Sequence, residues 1–152
     1  MPSSAKPKPR FAAALLIAVL AVAVICIGYA VLHSGPWIVP EEAKKVKNPL
    51  APSEAELAVA RSIYLEKCSD CHGESGRGDG PQAKMYDTQP ADLTDNSQLN
   101  KVTDGELFYK ITHGHKPMPA FKKRLSDTQR WQLVLLIRAI SHSTSPVFPA
   151  SK

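Results

Sequence analysis

Cysteine is scarce in this sequence, with three residues in 152. Cys26 lies within an apolar run, whereas Cys68 and Cys71 form a C-x-x-C pair in the polar part of the chain. Three cysteines are too few for the disulfide framework that holds small secreted domains together. The pair of Cys68 and Cys71 therefore needs another explanation.

The chain also lacks a large excess of one charge. Its formal net charge is +5, and Lys6, Lys8 and Arg10, which precede the apolar run, supply three of those charges and leave +2 for the remainder. A nucleic-acid-binding domain needs a strongly basic face with a continuous stripe of Lys and Arg. We therefore expect no nucleic-acid partner.

The polar part of the sequence has no sustained strand-like alternation, but three of its segments carry the signals of helices. In each segment, a Ser or Thr is followed three residues later by Glu or Gln, the capping box that satisfies the first backbone N–H groups of a helix. These pairs are Ser53 with Glu56, Thr103 with Glu106, and Ser126 with Gln129. They predict helices over residues 54–67, 104–112 and 127–140.

Residues 11–32 form a charge-free run of 22 residues rich in Ala, Val, Leu and Ile. As a helix, this run is about 33 Å long, against a bilayer hydrocarbon core of about 30 Å. The basic residues in 1–10 favour a cytoplasmic tail, so we expect a transmembrane anchor over 11–32 and the remainder outside. The alternative is a cleaved signal peptide, but the run exceeds the usual apolar region of about 7 to 15 residues.

The rest of the chain divides by composition. Residues 33–52 contain four prolines and mixed charges. They predict a stiff, solvated linker that reaches about 60 Å when extended. Residues 53–142 carry the predicted helices and form the expected domain. Residues 143–152 include two prolines among serines and predict a flexible tail.

Cys68, Cys71 and His72 form the motif C-x-x-C-H, the attachment signature of c-type haem. Residues three apart share a face of a helical turn, so the two thiols can add to the two vinyl groups on one porphyrin edge. His72 then becomes an axial ligand of the iron. A zinc site with His113 and His115 is one alternative, but closed structural zinc sites usually show tighter ligand spacing. A thioredoxin-like pair needs a βαβ setting, which the sequence does not indicate.

The sixth iron ligand is expected to be Met118, which follows His72 by 46 residues. Pro117 and Pro119 flank it and stiffen the loop that would press the thioether against the iron. Met/His ligation raises the reduction potential of cytochromes c. His113 and His115 remain as alternative ligands, which would give a bis-histidine haem of lower potential.

At these residues the chain resembles the monohaem class I cytochrome c family, over about residues 53–142. Ala60 and Tyr64 match the small and aromatic pair on that family's first helix, which packs across its last helix. Leu136 departs from the aromatic residue of the last helix, and Trp131 is expected to compensate from the preceding turn. The resemblance implies an all-α cytochrome c fold, with three to four short helices around a covalently bound haem, after an N-terminal transmembrane helix.

The resemblance also implies roles for individual haem-pocket residues. Gly80-Pro81 is similar to the Gly-Pro that follows the haem motif, and in the family the carbonyl of this proline orients the proximal imidazole. Leu93 and Phe108 are expected to contact the porphyrin. The full set of expected pocket residues is Tyr64, Pro81, Leu93, Phe108 and Pro117.

These features predict one-electron transfer by a single covalent haem c on the outer, periplasmic face of the cytoplasmic membrane. The chain would be a tethered carrier between a donor and an acceptor protein of a respiratory chain. The alternatives are a fixed cytochrome c subunit of a larger membrane oxidoreductase and a ligand-binding or peroxidatic haem protein. No catalytic residue is expected, because Met118 fills the sixth position of the iron.

A group of basic residues surrounds the expected ligand loop, and such a group can steer an acidic redox partner towards the haem. An ordinary solvated surface is the alternative interpretation of the same residues. The group consists of Lys116, Lys122, Lys123 and Arg124.

Overall fold

The computed structural model describes residues 9–33, 37–143 and 147. The chain divides into two compact units, residues 1–38 and residues 39–152. Most of the predicted basic tail and most of the predicted C-terminal tail lie outside the described residues.

Helix α1 in the first unit runs over Pro9–His33. The side chains that are described along it, residues 12–28, are all exposed. Within the described part of the chain, no helix is found that has both the length and the apolar character needed to cross a membrane. The anchor over 11–32 therefore stays a prediction.

The described residues of the second unit form α-helices and one short 3-10 helix, which spans Ala83–Met85. The only strand-like pairing among them is an isolated bridge between His115 and Met118. The helices are α2 (Glu41–Lys44), α3 (Glu54–Lys67), α4 (Ser69–His72), α5 (Asn96–Leu99), α6 (Asp104–His113) and α7 (Asp127–His142). The three helices predicted from the sequence are confirmed as α3, α6 and α7, and α6 and α7 extend one and two residues further than expected.

The predicted capping boxes form only in part. Ser126 and Gln129 make the full reciprocal box at the start of α7. Ser53 and Thr103 accept the expected backbone bonds at 3.2 Å, but the reciprocal side-chain bonds are not made. The Glu56 carboxylate instead accepts a bond from Gln132 on α7 at 2.5 Å. The reciprocal half of that predicted box was wrong because Glu56 has a partner on another helix.

The core of the second unit lies where α3 meets α7. Ala60 and Tyr64 of α3 are buried, with 0% and 1% exposure, against Leu133, Val134 and Leu136 of α7. The expected packing of the first domain helix across the last is thus confirmed. Burying these side chains supplies the main apolar driving force for the fold.

Residues 39–50 do not behave as the solvated linker expected over 33–52. Val39 is buried, and the Asn48 amide donates to the carbonyl oxygen of Trp131 at 3.1 Å. At Gly105 of α6, an added Cβ would lie 2.0 Å from the carbonyl oxygen of Ala43. We call residues 39–50 the arm. Its contacts escaped the sequence analysis because a four-residue helix and one buried valine leave no periodic pattern.

Arg138 of α7 joins the last helix to the segment before α6. Its guanidinium donates to the Asp104 carboxylate at 2.7 Å and to the carbonyl oxygens of Leu99 and Val102 at 2.7 and 2.5 Å. The guanidinium thus satisfies backbone acceptors at the end of α5 as well as an acidic residue at the start of α6. This clamp was not predicted from the sequence.

Candidate haem site

The C-x-x-C-H motif lies on a short helical turn that follows directly from α3, and we call residues 68–72 the attachment turn. Cys68 ends α3 and begins α4, and its carbonyl oxygen accepts from the His72 amide at 2.9 Å and the Cys71 amide at 3.2 Å. Both cysteines are half-buried free thiols. The turn therefore presents two thiols, one helical turn apart, followed by an imidazole, as covalent attachment of a porphyrin edge requires.

The imidazole of His72 is held by a backbone carbonyl. Its Nδ1 lies 3.2 Å from the carbonyl oxygen of Ala91, so a protonated Nδ1 donates there and Nε2 is the nitrogen available to a metal. Metal-binding histidines usually have this arrangement. The sequence assigned the orienting carbonyl to Pro81, and the structure corrects this to Ala91. Pro81 is exposed, and the preceding Gly80 packs instead on the carbonyl oxygens of the attachment turn.

The electrostatic environment suits ligation rather than thiol redox chemistry. Burial lowers the pKa of His72, against the opposing effect of the bond to Ala91, and so favours the neutral imidazole that binds metals. Burial, and then the neighbouring Cys71, raise the pKa of Cys68 to about 12. Redox-active C-x-x-C pairs depend on a lowered thiol pKa. This environment therefore does not favour a thioredoxin-like role.

Tyr64 of α3 stabilises the attachment turn through a hydrogen bond to the residue that follows it. Its side chain is 1% exposed, and its hydroxyl donates to the carbonyl oxygen of Gly73 at 2.8 Å. Gly73 has a φ of +77°, which glycine adopts without strain. Burial is the main cause of the raised pKa of the Tyr64 phenol, so this hydroxyl stays protonated and able to donate. One hydrogen bond thus connects α3 to the residue that follows His72.

The loop that carries Met118 begins at Gly114, whose φ of +62° ends α6. Backbone bonds join His115 and Met118 in both directions, at 3.0 and 2.8 Å. The loop then returns to α6, where the amides of Phe121 and Lys122 donate to the last carbonyls of the helix, each at 3.1 Å. Residues 114–122, which we call the ligand loop, are therefore fixed at both ends.

The three candidate sixth ligands differ in their surroundings. Met118 is half-buried and packs against the apolar core. His113 is exposed, its ring stacks on Tyr109 with centroids 4.0 Å apart, and its Nδ1 lies 3.1 Å from the Tyr109 carbonyl oxygen. His115 is half-buried. No group of three or more His, Cys, Asp or Glu side chains that could hold a metal ion is found among the described residues.

The remaining expected pocket residues are apolar. Leu93 is buried in the core, and its amide donates to the carbonyl oxygen of Gly76 at 2.7 Å. Phe108 is half-buried and stacks on Trp131, with ring centroids 4.0 Å apart and planes at 15°. Trp131 lies in the turn before Leu136 and stacks on α6, and its expected compensation for the aromatic residue that Leu136 replaces stays a prediction. Pro117 is exposed.

An open cavity of about 430 Å³ lies between the ligand loop and the loop that follows the attachment turn. Cys68, Cys71, His72 and Met118 are not among the residues that line it. The cavity is lined by Tyr86, Asp87, Thr88, Lys116 and Pro117.

The basic residues expected to steer a partner are all exposed along and after the ligand loop. They are Lys116, Lys122, Lys123 and Arg124.

The donor set fits a c-type haem. Two thiols stand on one turn, the adjacent imidazole has an oriented Nδ1, and a thioether lies on a fixed loop. These are the groups that attach and ligate the haem of cytochromes c.

Residues 55–137 match the family described as cytochrome c oxidase, cbb3-type, subunit III. The match covers more than half of the chain. The chain belongs to this family. The resemblance to monohaem class I cytochromes c is thereby confirmed, and membership implies a covalently bound c-type haem, with Cys68 and Cys71 at the C-x-x-C-H position.

Two proteins that resemble this chain are longer than it is, so the chain spans only part of their length. The chain is 27% identical, over 95 residues, to the cbb3-type cytochrome c oxidase subunit FixP of Rhizobium etli, a match that covers 61% of this chain and 31% of FixP. A chain of the reducing HAO-like protein complex of Kuenenia stuttgartiensis is similar in structure, with a TM-score of 0.54 and 30% identity. That match covers 73% of this chain and 53% of the other.

Two residues near this site were missed by the sequence analysis. The Ala91 carbonyl left no signal because a backbone oxygen does not depend on residue type. Arg130 is 4% exposed on α7 and lies over the Phe108 ring, 4.8 Å from its centroid. The available signal was a charged residue on the apolar face of the last helix, since Arg is almost never fully buried without partners.

Proposed function

We propose that this chain transfers single electrons through one covalently attached haem c, with Cys68 and Cys71 as the thioether residues and His72 and Met118 as the axial ligands. The observation that carries the proposal is the attachment turn, in which both thiols precede an imidazole whose Nδ1 is held by the Ala91 carbonyl oxygen at 3.2 Å. A fixed Nδ1 leaves Nε2 in one orientation. Such a bond fixes the tautomer and the ring orientation of a ligating histidine.

The chain's own residues have three tasks in this proposal. The attachment turn holds the cofactor, the ligand loop presents the Met118 thioether, and Leu93 with the stacked pair of Phe108 and Trp131 limits the access of water. When bound, the haem supplies a one-electron couple. A thioether opposite an imidazole raises the potential of that couple.

Substitution of Met118 tests the ligand assignment. We expect Met118→Ala to change the axial-ligand signature of the ferric absorption and paramagnetic resonance spectra. The matched variants His113→Ala and His115→Ala are expected to leave the signature unchanged. An unchanged signature in Met118→Ala, with a change in either histidine variant, would replace Met118 by that histidine.

A filled sixth position favours electron transfer over catalysis at the iron. A ligand-binding or peroxidatic haem protein needs an open or labile position. We therefore expect the ferric protein to bind cyanide or imidazole weakly and slowly compared with the Met118→Ala variant. Equal binding by both proteins would favour the peroxidatic alternative.

The proposal includes a membrane anchor over residues 11–32, with the haem domain on the periplasmic side. The charge-free run, the basic residues of 1–10 and the helical backbone over Pro9–His33 support it. The large apolar side chains along this helix are more than half exposed, as a helix that faces lipid requires.

The family and the named relative favour a fixed subunit of a larger membrane oxidoreductase over the free tethered carrier. FixP is a subunit of a cbb3-type cytochrome c oxidase by name, and the family that this chain matches is described as subunit III of the same type of oxidase. Extraction of native membranes with a mild detergent separates the two cases. A fixed subunit is expected to co-purify with integral-membrane partners at constant stoichiometry, whereas a carrier is expected to elute alone.

A further inference from the structure

Arg130 is a buried charge at the start of α7 that the proposed electron transfer does not use directly. It is 4% exposed, and its Nη1 donates to the Thr112 hydroxyl at 2.5 Å. Its Nη2 donates to the Asp127 carboxylate, and Nε lies 3.4 Å from the Ser126 carbonyl oxygen. A guanidinium placed in the core is costly unless such bonds satisfy it.

Thr112 connects Arg130 to the ligand loop. The Thr112 hydroxyl donates to the Phe108 carbonyl oxygen at 2.6 Å while it accepts from Arg130. The Thr112 carbonyl oxygen accepts from the Lys122 amide at 3.1 Å, beside the matching bond from Phe121 to Ile111. The last turn of α6 is thus braced by α7 on one side and receives the end of the ligand loop on the other.

We propose that Arg130 is a positioning residue for the sixth iron ligand, acting through Thr112 to hold the ligand loop closed. The inference rests on the proposed ligation by Met118. If the brace is removed, the last turn of α6 frays and the bonds from Phe121 and Lys122 open more often. The thioether then leaves the iron for a larger fraction of the time, although Met118 itself is unchanged.

Arg138 provides a matched control on the same helix. It also makes three hydrogen bonds, one of them to a carboxylate, but to the segment before α6 and the first residue of that helix rather than to its last turn. Arg130→Leu and Arg138→Leu therefore each remove three hydrogen bonds of a guanidinium on α7. Arg130→Leu also removes the contact with the Phe108 ring, which Thr112→Val leaves in place. Only the first variant is expected to affect the ligand loop.

The first measurement is imidazole binding to the ferric holoprotein, followed by absorption. Imidazole binds only when the sixth position is free, so its apparent affinity scales with the open fraction. We expect Arg130→Leu to raise this affinity about tenfold or more, since bonds from a charged group are lost. Arg138→Leu is expected to stay within about twofold of the parent protein.

The second measurement does not depend on the haem spectrum. Native-state hydrogen exchange of the Phe121 and Lys122 amides reports directly on opening of the ligand loop. Exchange at these two amides is expected to accelerate in Arg130→Leu and in the milder Thr112→Val. If Arg130→Leu does not fold, the Thr112→Val variant carries the test alone.

The outcomes separate this inference from the proposed function. Equal effects of Arg130→Leu and Arg138→Leu on both measurements would overturn the positioning role and leave Met118 ligation intact. An unchanged spectrum in Met118→Ala would overturn the ligation instead. Faster exchange with unchanged imidazole affinity would also reject the inference, because the loop would then open without releasing the ligand.

Discussion

Tyr64 shows how one buried side chain supports the haem attachment turn. Its hydroxyl is the hydrogen-bond donor to the Gly73 carbonyl oxygen. Tyr64→Phe removes this bond and leaves the Gly73 carbonyl oxygen with the bond from the Gly76 amide at 3.2 Å, so we expect the free energy of unfolding to fall by about 1 kcal/mol. Chemical denaturation of the holoprotein measures the loss. Tyr86→Phe is the control, because Tyr86 is 44% exposed and its loss is expected to stay within about 0.5 kcal/mol. Equal losses in the two variants would contradict this role.

Among the single residues of the haem site, the sequence predicted those whose role depends on residue type and on spacing along the chain. The thiols and the imidazole of the attachment turn needed only the C-x-x-C-H spacing. The orienting carbonyl needed the path of the chain from Gly76 to Leu93, which brings Ala91 to His72 and leaves Pro81 at the surface. No local pattern encodes that path.

At the scale of elements, Gly105 is a point of close contact between the arm and α6. Gly105→Ala in an open helix would stabilise the protein by up to about 1 kcal/mol, because glycine is a poor helix former. Here an added Cβ would lie 2.0 Å from the carbonyl oxygen of Ala43 and 2.7 Å from that of Val46. We therefore expect Gly105→Ala to destabilise the domain and displace the arm.

Limited trypsin digestion measures arm displacement through cleavage after Lys45 and Lys47. Cleavage at these sites is expected to accelerate in Gly105→Ala. Asn48→Ala, which removes the bond to Trp131, is expected to act in the same direction. A stabilised Gly105→Ala protein with unchanged cleavage would show that the helix propensity of alanine outweighs the contact.

The helix N-termini show which capping bonds can be predicted from the local sequence and which cannot. Each predicted N-cap was found, because the cap bond lies within one turn. The reciprocal bond formed at Gln129 but not at Glu56 or Glu106, whose carboxylates pair with Gln132 and Lys110 at 2.5 and 2.8 Å. A long acidic side chain takes the strongest donor within reach, and the donor for Glu56 comes from α7. Only the tertiary fold provides that donor.

At the scale of the whole molecule, the basic group at the ligand loop predicts a salt-dependent reaction with anions. We expect oxidation of the reduced protein by hexacyanoferrate(III) to slow as ionic strength rises. At 0.1 M salt, exposed charges more than about 10 Å apart are largely screened from each other, so the attraction between the protein and the anion weakens. Lys122→Glu with Lys123→Glu should lower the rate roughly three- to tenfold at low salt and flatten the salt dependence. Stopped-flow absorption measures both effects.

The control for this prediction carries the same charge change at the other end of α6. Lys47 and Lys101 are exposed and precede that helix, which is about 15 Å long. Lys47→Glu with Lys101→Glu is expected to change the rate much less. If the two double variants slow the reaction equally, net charge rather than the basic group at the ligand loop determines the rate.

At the same scale, the proposed membrane anchor would limit the choice of partners, because anchoring would confine the haem domain to acceptors near the bilayer. We expect the full chain, matured with haem in bacteria, to stay in the membrane fraction after high-salt and alkaline carbonate washes. In the double variant Val19→Arg with Val22→Arg, insertion of each arginine at the centre of a membrane span costs about 2.5 to 3.5 kcal/mol. This variant is expected to appear mainly in the soluble fraction, whereas Val19→Leu with Val22→Leu should remain bound.

The intact mass of the purified haem protein separates an anchor from a cleaved signal peptide. Retention of residues 1–32 together with resistance to carbonate is expected. A haem protein that has lost this segment and elutes with salt would instead show that the apolar run serves export. The haem domain would then be a freely diffusing carrier, because nothing would hold it at the membrane after processing.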